Sequence, residues 1–206
     1  MMSPDLTNTE IARRVALQNS NPKGIAYPDG FFQRSPRAAA VLIPLLRKEN
    51  AWHILLIRRT KVEGDMHSGQ VAFPGGAQEA QDATSERTAL RETYEEIGLP
   101  PEKVEVLGVL PTTHTISNFL LTPIVGVIPW PFELKLSQKE VSRVFTIPLD
   151  WLMDETNTRY ETRQIEPYPP FEVIYFDTYD NEQLWGVSAS IIVEFLSRLR
   201  EDHSRP

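Results

Sequence analysis

Cysteine is absent from the 206 residues. Its absence excludes disulfides and thiolate metal ligands and fits a cytoplasmic setting. No apolar run approaches the ~20 residues of a membrane span. The N-terminus, Met1-Met2-Ser3-Pro4-Asp5, lacks the basic region and apolar stretch of a secretory signal, so no membrane partner is expected. Positive charge is in deficit, with 21 Lys and Arg against 28 Asp and Glu and a formal net charge of −7. That balance argues against non-specific binding to nucleic acid. It leaves an anionic small substrate open, because a metal or a few local cations can dominate the field of one site. Internal repeats, low-complexity segments and long linkers are also lacking.

What is present is the composition of a soluble globular chain, 41% apolar and 24% charged. Its length suits one domain, 1–206, with 1–36 as an N-terminal helix and loop extension and a core over about 37–200. Seventeen prolines favour short segments joined by stiff turns. Residues 6–17 read as a short amphipathic helix, and 18–36 as a polar loop anchored by Tyr27, Phe31 and Phe32. Arg37 to Leu46 reads as a strand in which Pro44 implies an edge or a bulge. A turn at Glu49-Asn50-Ala51 leads to a strand from Trp52 to Ile57. Arg58 to Gln70 reads as a loop, and Val71-Ala72-Phe73 as a short strand. Further strands are expected at 104–110, 120–128, 144–147 and 171–176. A helix from Ser188 to Arg200 has Ile191, Ile192, Phe195, Leu196 and Leu199 on one stripe. The order suggests an α/β fold with a mixed sheet between helices.

The chemistry concentrates between Phe73 and Leu99. A helix from about Thr84 to Ile97 places Ala89, Leu90, Thr93, Tyr94 and Ile97 on one face and Glu92, Glu95 and Glu96 on another. Glu92 and Glu96 are i,i+4 neighbours of like sign, which is unfavourable. Glu95 and Glu96 lie in the last turn, before a Gly98 suited to the left-handed conformation. The helix dipole is negative there, so each exposed carboxylate costs roughly 0.3–1 kcal/mol. A divalent cation held by oxygen ligands reverses the sign of these terms. Glu92, Glu95 and Glu96 are therefore candidate metal ligands, against the alternative of a solvated acidic helix end. Arg91, four residues before Glu95, is placed to orient carboxylates by ion pairing. Gly75 and Gly76 allow a turn that side chains would obstruct.

Gly76, Asp82, Arg91-Glu92, Glu95-Glu96 and Gly98-Leu99 together resemble the Nudix hydrolase box. The loop acid is Asp, and eight residues rather than seven separate it from Arg91. Upstream, Leu55-Leu56-Ile57-Arg58-Arg59 and His67-Ser68-Gly69-Gln70-Val71-Ala72-Phe73-Pro74-Gly75-Gly76 resemble the additional signature of the coenzyme A pyrophosphatase branch, where the extra loop residue is expected. Three positions depart from that branch: Ile57 where Thr is usual, Asp65 where Arg is usual, and Glu79 where Asp is common.

The resemblance implies the Nudix α/β/α sandwich with a mixed sheet between helices. It implies Mg²⁺ or Mn²⁺ at Glu92, Glu95 and Glu96, and cleavage of the CoA diphosphate to 3′,5′-ADP and 4′-phosphopantetheine. Arg58, Arg59, Lys61 and His67 are candidates for holding the substrate's phosphates, beside Gly75 and Gly76. Glu140 lies where this fold often brings a further acid to the metals, as a ligand or as general base. His114 is read as a surface residue. Diphosphatase action on ADP-ribose or a dinucleotide is the alternative, and a non-catalytic binding module is a third reading. The expected partner is a small nucleoside diphosphate, with neither nucleic acid nor membrane, and a homodimer is compatible with the chain.

Overall fold

The computed structural model describes residues 6–17, 31–64, 68–164, 166 and 170–200. Two strands that cross the centre show how the sequence builds the frame. Strand β1 (Arg37–Lys48) and strand β2 (Ala51–Arg59) are joined by Glu49 and Asn50, both at left-handed φ (52° and 62°). Two such residues make the turn whose twist matches an antiparallel hairpin. Side chains then alternate. Val41, Ile43 and Leu45 of β1, with Trp52, Ile54 and Leu56 of β2, enter one core. Ala40, Leu42 and Leu46, with Leu55 and Ile57, enter another on the opposite face.

The first core is closed by helices α1 (Asn8–Ala16), α3 (Leu149–Met153) and α4 (Gly186–Arg200). The second is closed by helix α2 (Ser85–Ile97). The expected stripe on α4 is the buried one, from Ile191 to Leu199. Helices α1 and α4 hold each other's ends. Arg198 donates to the carbonyls of Val15 and Leu17 at 2.9 and 2.7 Å, and Arg14 donates to that of Leu199. Carbonyls left over at a helix C-terminus need such partners.

The remaining strands are β3 (Val71–Ala72), β4 (Gly75–Ala77), β5 (Glu105–Val109), β6 (Thr113–His114), β7 (Phe119–Val127) and β8 (Val141–Pro148). With β1 and β2 they form one mixed sheet. The β1–β7 pair is parallel and all other pairs are antiparallel. A separate antiparallel pair, β9 (Thr158–Arg163) and β10 (Phe171–Phe176), lies near α4.

The edge expected at Pro44 is corrected. Strand β1 is interior, with β7 along one side and β4 and β2 sharing the other. Leu42 donates to Pro74 O at 2.9 Å on the shared side. Two residues on, the Pro44 nitrogen faces the same side. There it falls between the β4 register, which ends at Val41, and the β2 register, which begins at Leu45. The missing N–H therefore coincides with a gap in the ladder.

The loop expected from Arg58 is also corrected, since β2 continues through Arg59. Its pairing with β8 shifts register between Arg58 and Arg59. Ser142 sits at that irregularity and donates to Arg58 O at 3.1 Å. Bulges of this kind re-aim side chains beside sites. Among the described residues, no helix is long and apolar enough to cross a membrane.

Candidate functional site

Helix α2 begins as its sequence dictates. Thr84 caps it by accepting from Arg87 N, and Gly98 ends it at φ 77°, donating to Tyr94 O. Its buried face keeps Ala89, Leu90, Thr93 and Ile97 as expected but exchanges Tyr94 for Glu96. Tyr94 is 54% exposed, whereas Glu96 is 3% exposed, beside Ala89, Thr93 and Ile97. The contact arc on β1 and β4 thus runs through a glutamate. Glu92 stands at its margin, and Glu95 is half exposed.

Strand β4 meets α2 where the two glycines lie. Gly75 donates to Glu96 Oε2 at 2.9 Å. A Cβ added to Gly75, at φ 150°, would lie 2.4 Å from Ala40 O and 2.6 Å from Val41 Cα. One added to Gly76 would lie 2.6 Å from Glu92 Cδ. The first glycine is required by backbone and the second by a catalytic candidate. Gly75→Ala should therefore destabilise the fold by at least about 2 kcal/mol. Gly76→Ala pushes only on the end of a side chain, so its stability loss should be much smaller and its loss of turnover large. Denaturant midpoints and turnover for the two variants test this; similar midpoint losses in both would refute the division.

Arg91 is the organiser of the acidic loop. Its guanidinium donates to Asp82 Oδ2 at 2.9 Å, to Glu95 Oε2 at 3.0 Å and to Ala77 O at 3.1 Å, and pairs with Glu92 Oε1 at 3.0 Å. Asp82 in turn accepts from Glu79 N at 3.0 Å. Hydrogen bonding from Arg91 holds the Asp82 carboxyl down at about 2. The orienting role expected of Arg91 thus extends to Asp82, a box position that spacing alone does not mark as an Arg partner.

Glu96 has the opposite character. Burial pushes its carboxyl up to about 8. The Gly75 N–H and Arg59 oppose that displacement, while repulsion from Glu92 and Glu140 adds to it. Burial likewise raises Glu92, with Arg91 acting against it. Glu140 enters from the start of β8. Its carbonyl accepts from Thr60 N at 2.8 Å, just beyond Arg59. Glu92, Glu96, Glu140 and Arg59 therefore share one field at the end of β2.

Not every candidate joins this group. Strand alternation sends Arg58 to the other face of the sheet, where it pairs with the buried Glu182 at 3.1 Å. Glu182 also pairs with Arg143 at 3.1 Å. No local pattern marks Glu182, because its partners are distant in sequence. Lys61 lies along Gly69, with its Cγ 3.2 Å from where a Cβ would stand. His114 is half-buried and hydrogen-bonds Asn118 at 2.9 Å. His67, Asp65 and Tyr27 lie outside the described residues.

Among the described residues, no three acidic or imidazole side chains already converge as a cation cage. The donor set nonetheless suits a hard divalent cation, being entirely carboxylate oxygen. The penalty on a charged, buried Glu96 is of the kind such a cation offsets.

Comparison with known proteins identifies the family. The NUDIX domain family matches residues 36–187. An uncharacterized Nudix hydrolase NudL of Enterobacter sp. (strain 638) is 40% identical over 158 residues, covering 77% of this chain and 80% of the relative. The protein of the same description from Pectobacterium atrosepticum is 40% identical over 156 residues, covering 76% and 79%. Among solved structures, a MutT/nudix family protein from Enterococcus faecalis shares the fold, with a TM-score of 0.51 at 15% identity, over 84% of this chain and 64% of that one. With the domain matched over residues 36–187 and such relatives across three quarters of its length, the chain belongs to the Nudix hydrolase family.

Proposed function

We propose that the chain hydrolyses the diphosphate bond of coenzyme A or its derivatives, releasing 3′,5′-ADP and 4′-phosphopantetheine or its acyl form. The observation that supports hydrolysis most is the buried Glu96, seated under Gly75 and facing Glu92, Glu140 and Arg59. The CoA assignment rests on the upstream resemblance from Leu55 to Gly76.

Glu92, Glu95 and Glu96 would hold Mg²⁺ or Mn²⁺. Glu95 needs only to turn from Arg91 to take part. When bound, such a cation neutralises phosphate charge and makes the phosphorus more open to attack. The carboxylates of Glu92, Glu96 and Glu140 divide two tasks, gripping the cation and taking the proton from the attacking water. Arg91 positions Glu92 and Glu95. Arg59 is the cation best placed for a phosphate oxygen, with Lys61 beyond it; Arg58 would first have to leave Glu182. Gly75 and Gly76 let the backbone approach the group being cleaved.

The test is substrate profiling with Mg²⁺ or Mn²⁺ on CoA, ADP-ribose and a dinucleotide, with product identification. Release of 3′,5′-ADP from CoA as the preferred reaction is the expected result. Preference for ADP-ribose or the dinucleotide would replace the CoA assignment and retain the hydrolase. No cleavage with either metal would leave a binding module.

A further inference from the structure

The α4 face of the sheet holds a second pocket that the acids do not use. A cavity of about 220 Å³ is lined by Arg58, Gln70, Asn181, Glu182, Gln183 and Trp185, among others. Pockets that enclose whole drug-sized ligands run to about 300–1,000 Å³, so this one suits a single ring system. Its charges are already compensated. Glu182 is 5% exposed and is reached by Arg58 and Arg143 at 3.1 Å each, while Arg143 also pairs with Asp180; two guanidiniums thus face two carboxylates, and the pocket is not an anion site. What remains is neutral and directional. Asn181 and Gln183, both exposed, line it with carboxamides, which can donate and accept.

Trp185 supplies an aromatic surface and is 36% exposed. Its indole stacks on Tyr175, with centroids 5.6 Å apart and planes 5° apart. Tyr175 is itself held by the guanidiniums of Arg159 and Arg163, 5.2 and 5.7 Å from its ring. Its hydroxyl also accepts from Arg163 at 2.6 Å. The stack is thus ordered before any ligand arrives, which lowers the entropic cost of binding. A planar surface ringed by donor–acceptor amides is complementary to a nucleobase.

We infer that this pocket receives the purine base of the nucleoside diphosphate substrate, stacked on Trp185 and read by the neighbouring carboxamides. The inference rests on the substrate class proposed above. Its position fits that substrate. Arg58 faces the pocket and Arg59 the acids, and adjacent Cα atoms are ~3.8 Å apart. Gln70, whose carbonyl accepts from Arg59 N at 2.9 Å, borders the pocket on the chain leading to Gly75 and Gly76. The two sites thus lie on opposite faces of the sheet at the same end of β2.

Calorimetric binding of 5′-AMP and of ribose 5-phosphate to the metal-free protein tests the pocket apart from catalysis. Wild type should bind 5′-AMP at least about tenfold more tightly than ribose 5-phosphate. Trp185→Ala should lose most of that preference, Trp185→Phe should keep much of it, and Gln183→Ala should weaken 5′-AMP alone. In turnover with the preferred diphosphate, Trp185→Ala should raise KM by a larger factor than it lowers kcat. If Trp185→Ala melts below wild type, the exposed Gln183 decides. Equal binding of the two ligands by wild type, or 5′-AMP binding untouched by both alanine variants, overturns the pocket. Base-dependent binding without hydrolysis of any diphosphate would sustain the pocket and refute the proposed reaction.

Discussion

Glu96→Gln should lower turnover by at least about a hundredfold, while making the metal-free protein more stable at pH 9. Both halves come from one carboxylate. Its acidity is displaced from 4.5 to about 8, chiefly by burial. Below pH 4.5 both the folded and unfolded chains hold the proton, and Glu96 imposes no penalty. Between 4.5 and 8 the unfolded chain has released it and the folded chain has not, so the stability of the folded state falls as pH rises. Above 8 the loss is complete and amounts to several kcal/mol, at about 1.4 kcal/mol per pH unit.

A glutamine retains an acceptor for the Gly75 N–H and never acquires the charge. The variant and wild type should therefore melt together at pH 5 and diverge at pH 9, with the variant higher. If Glu96 holds the cation, adding Mg²⁺ should raise the wild-type midpoint more at pH 9 than at pH 5, where the cation would have to displace the Glu96 proton. The variant should respond far less. Thermal melts in EDTA and in Mg²⁺ at the two pH values check this. A wild type as stable as the variant at pH 9 in EDTA would show that Glu96 carries no burial penalty. Near-normal turnover in the variant would remove it from the chemistry.

The parts of the fold that were legible are those determined by neighbours in the chain. Thr84 and Gly98 bracket α2 within a residue of expectation, because a cap and a left-handed stop are local events. Strand β10 runs from Phe171 to Phe176 as expected. Strand β9, Thr-Arg-Tyr-Glu-Thr-Arg, carries no such signal, because it has no buried residue and pairs with β10 alone.

The site was legible in composition more than in orientation. Periodicity places Ala89, Leu90, Thr93 and Ile97 correctly but groups Tyr94 with them, whereas α2 also rests on the sheet through Glu96, which hydrophobicity alone does not mark. Arg58 and Arg59 look equivalent in a basic run. Once β2 is known to continue through both, period-two alternation separates them, one toward Glu182 and one toward Glu96. The buried pairing of Glu182 depends on β2, β8 and the turn before α4 meeting, which no spacing encodes.

Arg91→Ala should be the most damaging change to the acidic loop, costing about 3–5 kcal/mol of stability and much of the turnover. Replacement removes four partners at once, and the most costly loss is at Asp82, whose side chain is only 4% exposed. Breaking a buried pair leaves the remaining charge uncompensated, which is the expensive way to remove an ion pair. Glu92 loses its anchor in the same step, so its carboxylate is no longer held against Gly76. Arg91→Lys should recover only part of this, since one ammonium cannot span Asp82, Glu95 and Ala77 O as a guanidinium does.

The pH dependence separates this pair from general loop damage. Asp82 is lowered from 3.8 to about 2 by Arg91. Its contribution is fully present above the unfolded value and is lost as pH falls through the folded one. The stability gap between wild type and Arg91→Ala should thus be wide at pH 6 and narrow between about pH 4 and pH 2. Urea midpoints at pH 6, 4 and 2.5 measure the gap. A gap unchanged across that range would mean that Arg91 acts on the loop through packing rather than through the Asp82 charge.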